Sequence, residues 1–387
     1  MDFELTSDEA ALAGLAATLA QREVAPAAAA AWAAERCPVE VLQRMGQAGL
    51  LGLLVPEKWG GSGASTVGFV AAMEQIGRAD QSIAAAWQAH STIGSLPILA
   101  FGSDEQRERW LRPLAEGRAL GAFGLTETEA GSDAAAIATR AEPRDGGWLI
   151  NGRKMFISNA GTSMSLGVTL LARLGDPAGS QAQPAGRPRY ANFVVEKGTP
   201  GYSLGPKLRG IGWKGLDTRE LVFDDVWVPG DHLLGDAGRG LSQFLAVLAV
   251  GRISVAALAV SLTGAVLELS TAYARQRRQF GRPLIDNQAI AFKLADMATE
   301  LEASRLLTYR AAALRDAGRP FEQAAAMAKL KATRTAVDAA REAVQIHGGY
   351  GYMLDSDVAR FYCDAKVLEI GEGTNEIQHI VIARGLS

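Results

Sequence analysis

Near the C-terminus a single acid, Glu372, stands between Gly371 and Gly373 in the stretch EIGEGTNEIQ (369–378). Glycine costs a helix interior roughly 1 kcal/mol relative to alanine, so two of them around one carboxylate need a reason. Either the segment is an ordinary turn with a solvated acid, or its backbone is cleared so that Glu372 can reach a ligand. Four more segments are unusual: LTETEAGSD (125–133), KMFISNA (154–160), RQRRQFGRP (275–283) and QIHGGYG (345–351). Together they offer small residues, backbone amides, hydroxyls and arginines, a set that can hold an elongated anionic cofactor. Each also has a plain structural reading: a turn, a hairpin, a solvated helix end, a helix C-cap. Other chemistries find little support. The glycine-rich EKWGGSGAS (57–65) lacks the GxGxxG order and follows no strand pattern, and there is no Walker loop or GxSxG elbow. His90, His232, His347 and His379 show no metal spacing and read as structural.

The elements that must position these groups fall into three zones. Residues 1–120 read as helical, with alanine-rich runs such as EVAPAAAAAWAAERC. Residues 121–235 carry short β-type runs: GGWLINGRKMFIS, SLGVTLLARL, RYANFVVEK and RELVFDDVWVP. In the first of these Asn151-Gly152 lies between two apolar-alternating stretches, which predicts a hairpin turn there. No long helix alternates with the strands, so the sheet is expected to be antiparallel or a small barrel. GDPAGSQAQPAGRP (175–188) reads as a mobile loop. Residues 236–387 return to long helices. Ile290, Leu294, Met297 and Leu301 form one seam after a cap at Asp286, and Met327, Leu330, Val337 and Val344 form another before a stop at HGG (347–349). Such seams pack antiparallel helices into a bundle. The expected fold is mainly α with a central β domain.

Composition narrows the function classes. The 387 residues are 48% hydrophobic and carry 39 basic against 42 acidic side chains, a net charge of -3. That balance offers no footprint for nucleic acid or an anionic membrane. Only two cysteines occur, Cys37 and Cys363, with no CxxC pair, which suits a reducing compartment, and MDFELTSDEA lacks a secretory pattern, so a cytoplasmic location is expected. FLAVLAVGRISVAALAVSLTGAVL (244–267) is long enough to resemble a membrane span. Arg252 interrupts it and no partner span exists, so a buried bundle helix is the expectation.

In order and wording the unusual segments resemble the acyl-CoA dehydrogenase family across nearly the whole chain, and the resemblance implies a helical domain, a β domain and a C-terminal four-helix bundle in that order. The signatures are LTE-x-x-AGSD, K-x-aromatic-I-Ser-NA, R-x-x-FG followed by LADM, Q-x-x-GG-x-G and EGT-x-x-I. The resemblance implies FAD as cofactor, an acyl thioester of CoA or of a carrier protein as substrate, and electron-transfer flavoprotein as acceptor. It implies that Glu372 removes the α-proton while the flavin takes the β-hydrogen, giving a trans-2-enoyl product. Relatives that carry the base on the long helix would place it at Gly251, which closes that alternative here. Phe123, Leu125, Thr126 and Ser132 are expected to line flavin and thioester, and Phe156, Ile157 and Ser158 to cover the ring. Arg277, Gln279 and Phe280 resemble the element that reaches the pyrophosphate of a neighbouring subunit, which implies a homo-oligomer, a tetramer in most of the family. Gln288, Gln345 and Gly349 are expected at the adenosine end, with Thr374 and Glu376 after the base, and Arg252, Gly371 and Gly373 beside the substrate. A flavin-dependent monooxygenase or oxidase on the same fold is the alternative, but such monooxygenases typically lack the base. Three positions depart from the pattern: Thr128-Glu129 in the LTE loop, Cys363 where arginine is common, and Gly371 where a bulky aromatic often stands. The last is expected to widen the acyl site.

Overall fold

A computed structural model describes residues 4–175 and 188–386. The loop expected at 175–188 falls almost wholly outside the described residues.

Eight helices come first: α1 (Ser7–Leu19), α2 (Ala25–Ala33), α3 (Val39–Gln47), α4 (Thr66–Ala79), α5 (Gln81–Ala89), α6 (Leu96–Phe101), α7 (Asp104–Gln106) and α8 (Arg112–Ala115). Their starts follow ordinary capping chemistry. Thr6 and Glu9 form a capping box on α1, Ser65 caps α4 and Asp80 caps α5. After α5 the chain continues through a π-helical turn, His90–Gly94, which belongs to the site described below.

The middle of the chain builds an eight-stranded sheet from β1 (Phe123–Gly124), β2 (Arg140–Arg144), β3 (Gly147–Ser158), β4 (Gly167–Leu174), β5 (Tyr190–Glu196), β6 (Tyr202–Lys207), β7 (Thr218–Pro229) and β8 (Leu233–Leu234). The strand order is β6-β7-β3-β2-β4-β5-β8, with β1 beside β4. Pairing is antiparallel except for β1 with β4 and β2 with β4. The hairpin expected at Asn151-Gly152 is absent. Both residues lie inside the continuous strand β3, at a register shift against β7, where the Asn151 side chain bonds Asp225. A Cβ on Gly152 would come within 2.6 Å of the Thr139 backbone, so this glycine serves close chain approach. The turn is instead at Asp145-Gly146, with φ of 47° and 76°, joining β2 to β3. The inner face of the sheet packs Ile150, Val168, Phe193, Leu221, Phe223 and Val226.

The bundle follows: α9 (Gly240–Gln276), a hairpin of β9 (Arg278–Gln279) and β10 (Arg282–Pro283), then α10 (Gln288–Asp316), α11 (Glu322–His347), α12 (Gly349–Tyr352), α13 (Asp357–Leu368) and α14 (Asn375–Arg384). α9 packs against α4, α5, α10, α11 and α13, so it is the shared core of the two helical parts. Of its most apolar 18 residues 89% are buried inside the protein, as expected for a helix that is hydrophobic all round. Its polar residues are absorbed locally: Ser254, Ser261 and Thr263 donate to carbonyls one turn earlier.

Two details differ from expectation. Asp286 caps nothing. It ends a short 3-10 turn, Asn287 takes the N-cap position of α10, and the Asn287 carboxamide oxygen accepts from Arg282 instead. On α11 the expected seam of Met327, Leu330, Val337 and Val344 is only half-buried. The buried face is a row of alanines, Ala325, Ala328, Ala332, Ala336, Ala339 and Ala343. Small side chains let α11 approach α9 closely, and close packing rather than bulk fills the core there. The helix stops at Gly348, with φ 62°, as expected.

Candidate active site

Glu372 sits in the six-residue connection (369–374) between α13 and α14 with φ of 54°, followed by Gly373 at 95°. The two flanking glycines serve different ends. Gly373 needs its left-handed backbone, and a Cβ there would come within 3.0 Å of the Gln378 amide. At Gly371 a Cβ would meet nothing closer than the Val367 carbonyl at 3.5 Å, so that glycine leaves open space. The turn is pinned by its carbonyl: Lys329 Nζ and Gln378 Nε2 each donate to Gly373 O at 2.7 Å. Thr374 caps α14 through Ile377 N.

The acid points inward. Glu372 Oε1 accepts from Gln88 Nε2 at 2.6 Å, while Oε2 is shielded from solvent and has no hydrogen-bond partner. A Cβ built on Gly251 of α9 would lie 1.7 Å from that oxygen, so the carboxylate occupies the notch this glycine leaves. Burial lifts the Glu372 carboxyl to about 7, against the pull of Gln88, Lys329 and Arg252 toward the charged form. Lys329 is completely buried, and desolvation lowers its ammonium to about 8 although Glu372 holds it up. Arg252 is also buried, its Nε without a partner, and desolvation outweighs the Glu372 charge in lowering its pKa. An orphaned carboxylate oxygen near neutrality, in an enclosed site with two cations, suits proton abstraction from a weak carbon acid.

A buried charge pair holds the LTE and KMFIS segments together. Lys154 Nζ donates to Glu127 Oε1 at 2.7 Å and to Leu125 O at 3.0 Å, and Met155 N donates to Thr126 O at 2.8 Å. Glu127 also accepts from Ala138 N and Thr139 N, and burial pulls Lys154 down to about 8. Around this clamp Phe123 stacks on Phe244 at 4.2 Å and Leu125 is buried. Phe156, at φ 63°, is 65% exposed, Ser158 is half-buried and Ser132 is exposed. Ile157 differs from expectation: its side chain joins the core of the sheet, so only its backbone can serve a ligand.

At the far end of α9 a hollow of about 530 Å³ is lined by Tyr273, Arg277, Gln279, His347, Gly349 and Tyr350. A guanidinium, an amide and a glycine backbone around one hollow suit the phosphates and adenosine of a dinucleotide. Arg277, Gln279 and Gly349 are therefore brought together. Phe280 is not part of the hollow; it stands 96% exposed at the hairpin tip, and Gln288, Gln345 and Glu376 are exposed as well. His90 accepts from Gly121 N, His232 bonds Val194 O, His379 meets Arg334, and His347, which lines the hollow, bonds Ala343 O. Burial raises both cysteine thiols, Cys37 to about 12, which disfavours the reactive thiolate. Gln88, Lys329 and Glu127 were missed from sequence. Lys329 had a signal, a lysine on the alanine face of α11, and Gln88 a weaker one, an amide within IAAAWQAH.

The decisive observation is that models of all three acyl-CoA dehydrogenase domains match in order: N-terminal at residues 6–118, middle at 122–226 and C-terminal at 238–387. The chain belongs to the acyl-CoA dehydrogenase family. An acyl-CoA dehydrogenase of Bacillus subtilis is 43% identical over 384 residues, 99% of each chain. The butyryl-CoA dehydrogenase structure from Megasphaera elsdenii superposes with a TM-score of 0.95 at 38% identity, covering 100% of both chains. A structure described as an electron transferring flavoprotein of Acidaminococcus fermentans superposes equally well, at 37% identity over 100% of this chain and 99% of that one. Like its family, this acyl-CoA dehydrogenase is an FAD-dependent oxidoreductase that dehydrogenates acyl thioesters.

Proposed function

We propose that Glu372 is the base that takes the α-proton of the acyl thioester. The observation that carries this reading is the solvent-shielded, unpartnered Oε2 in the Gly251 notch, on a carboxyl raised to about 7. Bound FAD would supply the acceptor for the β-hydrogen and its electron pair; Glu372 keeps the α-proton, and the product is a trans-2-enoyl thioester. An α-proton is far less acidic than a carboxylic acid, and the protein compensates by desolvating the base so that its basicity rises. Phe123, Leu125 and Thr126, clamped by Lys154 and Glu127, with Phe156 and Ser158, are the residues that hold the flavin end; Arg277, Gln279 and Gly349 hold the phosphate and adenosine end. Because the exposed Phe280 hairpin and the Arg277 hollow lie on the surface of one chain, we propose that a second copy completes the cofactor site in a homo-oligomer. CoA is the proposed carrier of the acyl group and electron-transfer flavoprotein the proposed acceptor, supported by the names of the relatives.

Glu372→Gln tests the reading. It keeps size and hydrogen bonding, so FAD content and fold are expected to persist. Anaerobic reduction of the flavin by a thioester is expected to fall by at least about 10²–10⁴-fold, the usual contribution of a positioned base. Reduction at the wild-type rate would remove Glu372 from this role.

A further inference from the structure

Building on the reading of Glu372 as base, we propose that Gln88 is a positioning residue that ties down one carboxylate oxygen and so decides which oxygen meets the substrate. Gln88 lies on α5, only 3% exposed, and its Nε2 is ringed by three oxygens: Glu372 Oε1 at 2.6 Å, Ser254 Oγ of α9 at 2.8 Å and Thr92 Oγ1 at 3.0 Å. The orientation of the amide is determined by its neighbours. Ser254 donates its own proton to Gly251 O at 2.7 Å and Thr92 donates to Gln88 O at 2.8 Å, so both hydroxyl oxygens are left as acceptors. An ionised carboxylate accepts only. The nitrogen of Gln88, not its carbonyl oxygen, therefore faces all three.

A built-in comparison stands one heptad earlier on the same helix. Gln81 Nε2 donates to Gly77 O at 2.8 Å and to Ser261 Oγ at 3.0 Å, with no carboxylate in reach. Gln81 and Ser261 thus make the same α5–α9 link that Gln88 and Ser254 make, and linking helices does not require a base. What Gln88 adds is the bond to Oε1. With that oxygen held, rotation of the carboxylate must break a charge-assisted bond, and Oε2 is the oxygen left free beside Gly251. The other groups facing the carboxylate are Lys329 from α11 and Arg252 from α9, with Glu322 acting on Arg252; none of them is held by Gln88. An N–H donated to a carboxylate favours its charged form, so Gln88 also keeps the base ionised at lower pH than its burial alone would allow.

The test uses the FAD-loaded protein with Gln88→Leu, and with Ser254→Ala, which loosens the amide's anchor without touching Glu372. Two quantities are measured: the pH profile of single-turnover flavin reduction by butyryl-CoA, and the titration of the Glu372 carboxyl by infrared difference against Glu372→Gln. In Gln88→Leu both midpoints are expected to move upward by on the order of one pH unit, the tenfold change typical of one hydrogen bond to a charged group. The limiting rate at high pH is expected to fall about tenfold with little change in thioester Kd. Ser254→Ala is expected to show a smaller shift in the same direction. Gln81→Leu, the control, is expected to lower the melting temperature and leave both midpoints in place. If Gln88→Leu behaves like Gln81→Leu, Gln88 is a helix link only and the proposal is overturned. Should Gln88→Leu fail to fold, an unmoved carboxyl titration in Ser254→Ala overturns it equally. Either result is separable from failure of the base assignment, which Glu372→Gln alone decides.

Discussion

At Glu372 the requirements of catalysis and of stability pull in opposite directions. Its carboxyl is raised from an ordinary 4.5 to about 7, so between those values the folded protein binds a proton that the unfolded chain does not. Stability from this group is fully present below pH 4.5 and is lost as pH rises through about 7. The expected outcome is that wild type loses stability relative to Glu372→Gln across that window, by up to about 1.4 kcal/mol per pH unit, as read from urea melts at several pH values. A difference that stays flat with pH would mean that the carboxyl ionises as freely in the folded protein as outside it. Flavin reduction has the opposite dependence, since only the ionised base accepts a proton, and rises through the same region.

At the scale of elements, the base depends on a turn between two helices and a notch in a third. Gly371 contributes room, and that room is where acyl specificity is expected to reside. Its Cβ direction is free to 3.5 Å, so Gly371→Tyr is expected to fold normally and to penalise branched or bulky thioesters over short linear ones by up to a few kcal/mol. kcat/KM across a chain-length and branching series measures this, and equal losses throughout would place the pocket elsewhere. The sequence disclosed such features unevenly. Glu372 with its glycines, the LTE and KMFIS segments and the long apolar helix were legible because each breaks a local rule or carries a dense pattern. Asn151-Gly152 misled because a glycine inside a strand and a glycine in a turn look alike in sequence, and only chain crowding at Thr139 tells them apart. The alanine face of α11 was overlooked because hydrophobic periodicity weighs bulk, while that interface works by small size. Gln88 and Lys329 were missed for a different reason: their partners lie in the Glu372 turn, 284 residues from Gln88 and 44 from Lys329, and the local signals each carried do not point to so distant a turn.

For the whole molecule, the exposed end of α9 and its hairpin are the parts least explained by one chain alone. If the Arg277 hollow holds the cofactor's phosphates across a subunit boundary, Arg277→Ala is expected to weaken FAD retention by roughly ten-fold or more, consistent with loss of a charge-assisted bond, and to loosen the assembly. Flavin release on dilution and sedimentation velocity check the two parts. Unchanged retention would take Arg277 out of the site.

The helix Gly240–Gln276 also sets a problem of timing during synthesis. The ribosome delivers it after α4 and α5, which cover one flank, but before α10 and α11, which cover the other. For that interval a nascent chain displays an apolar rod long enough to span a bilayer, with membrane insertion and association with other unfinished chains as competing fates. Arg252 weighs against the first of these, because an arginine near the centre of a would-be span costs about 2.5–3.5 kcal/mol at insertion. The side chain that sits beside the base in the finished enzyme thus also counts against passage of the unfinished polypeptide into the lipid.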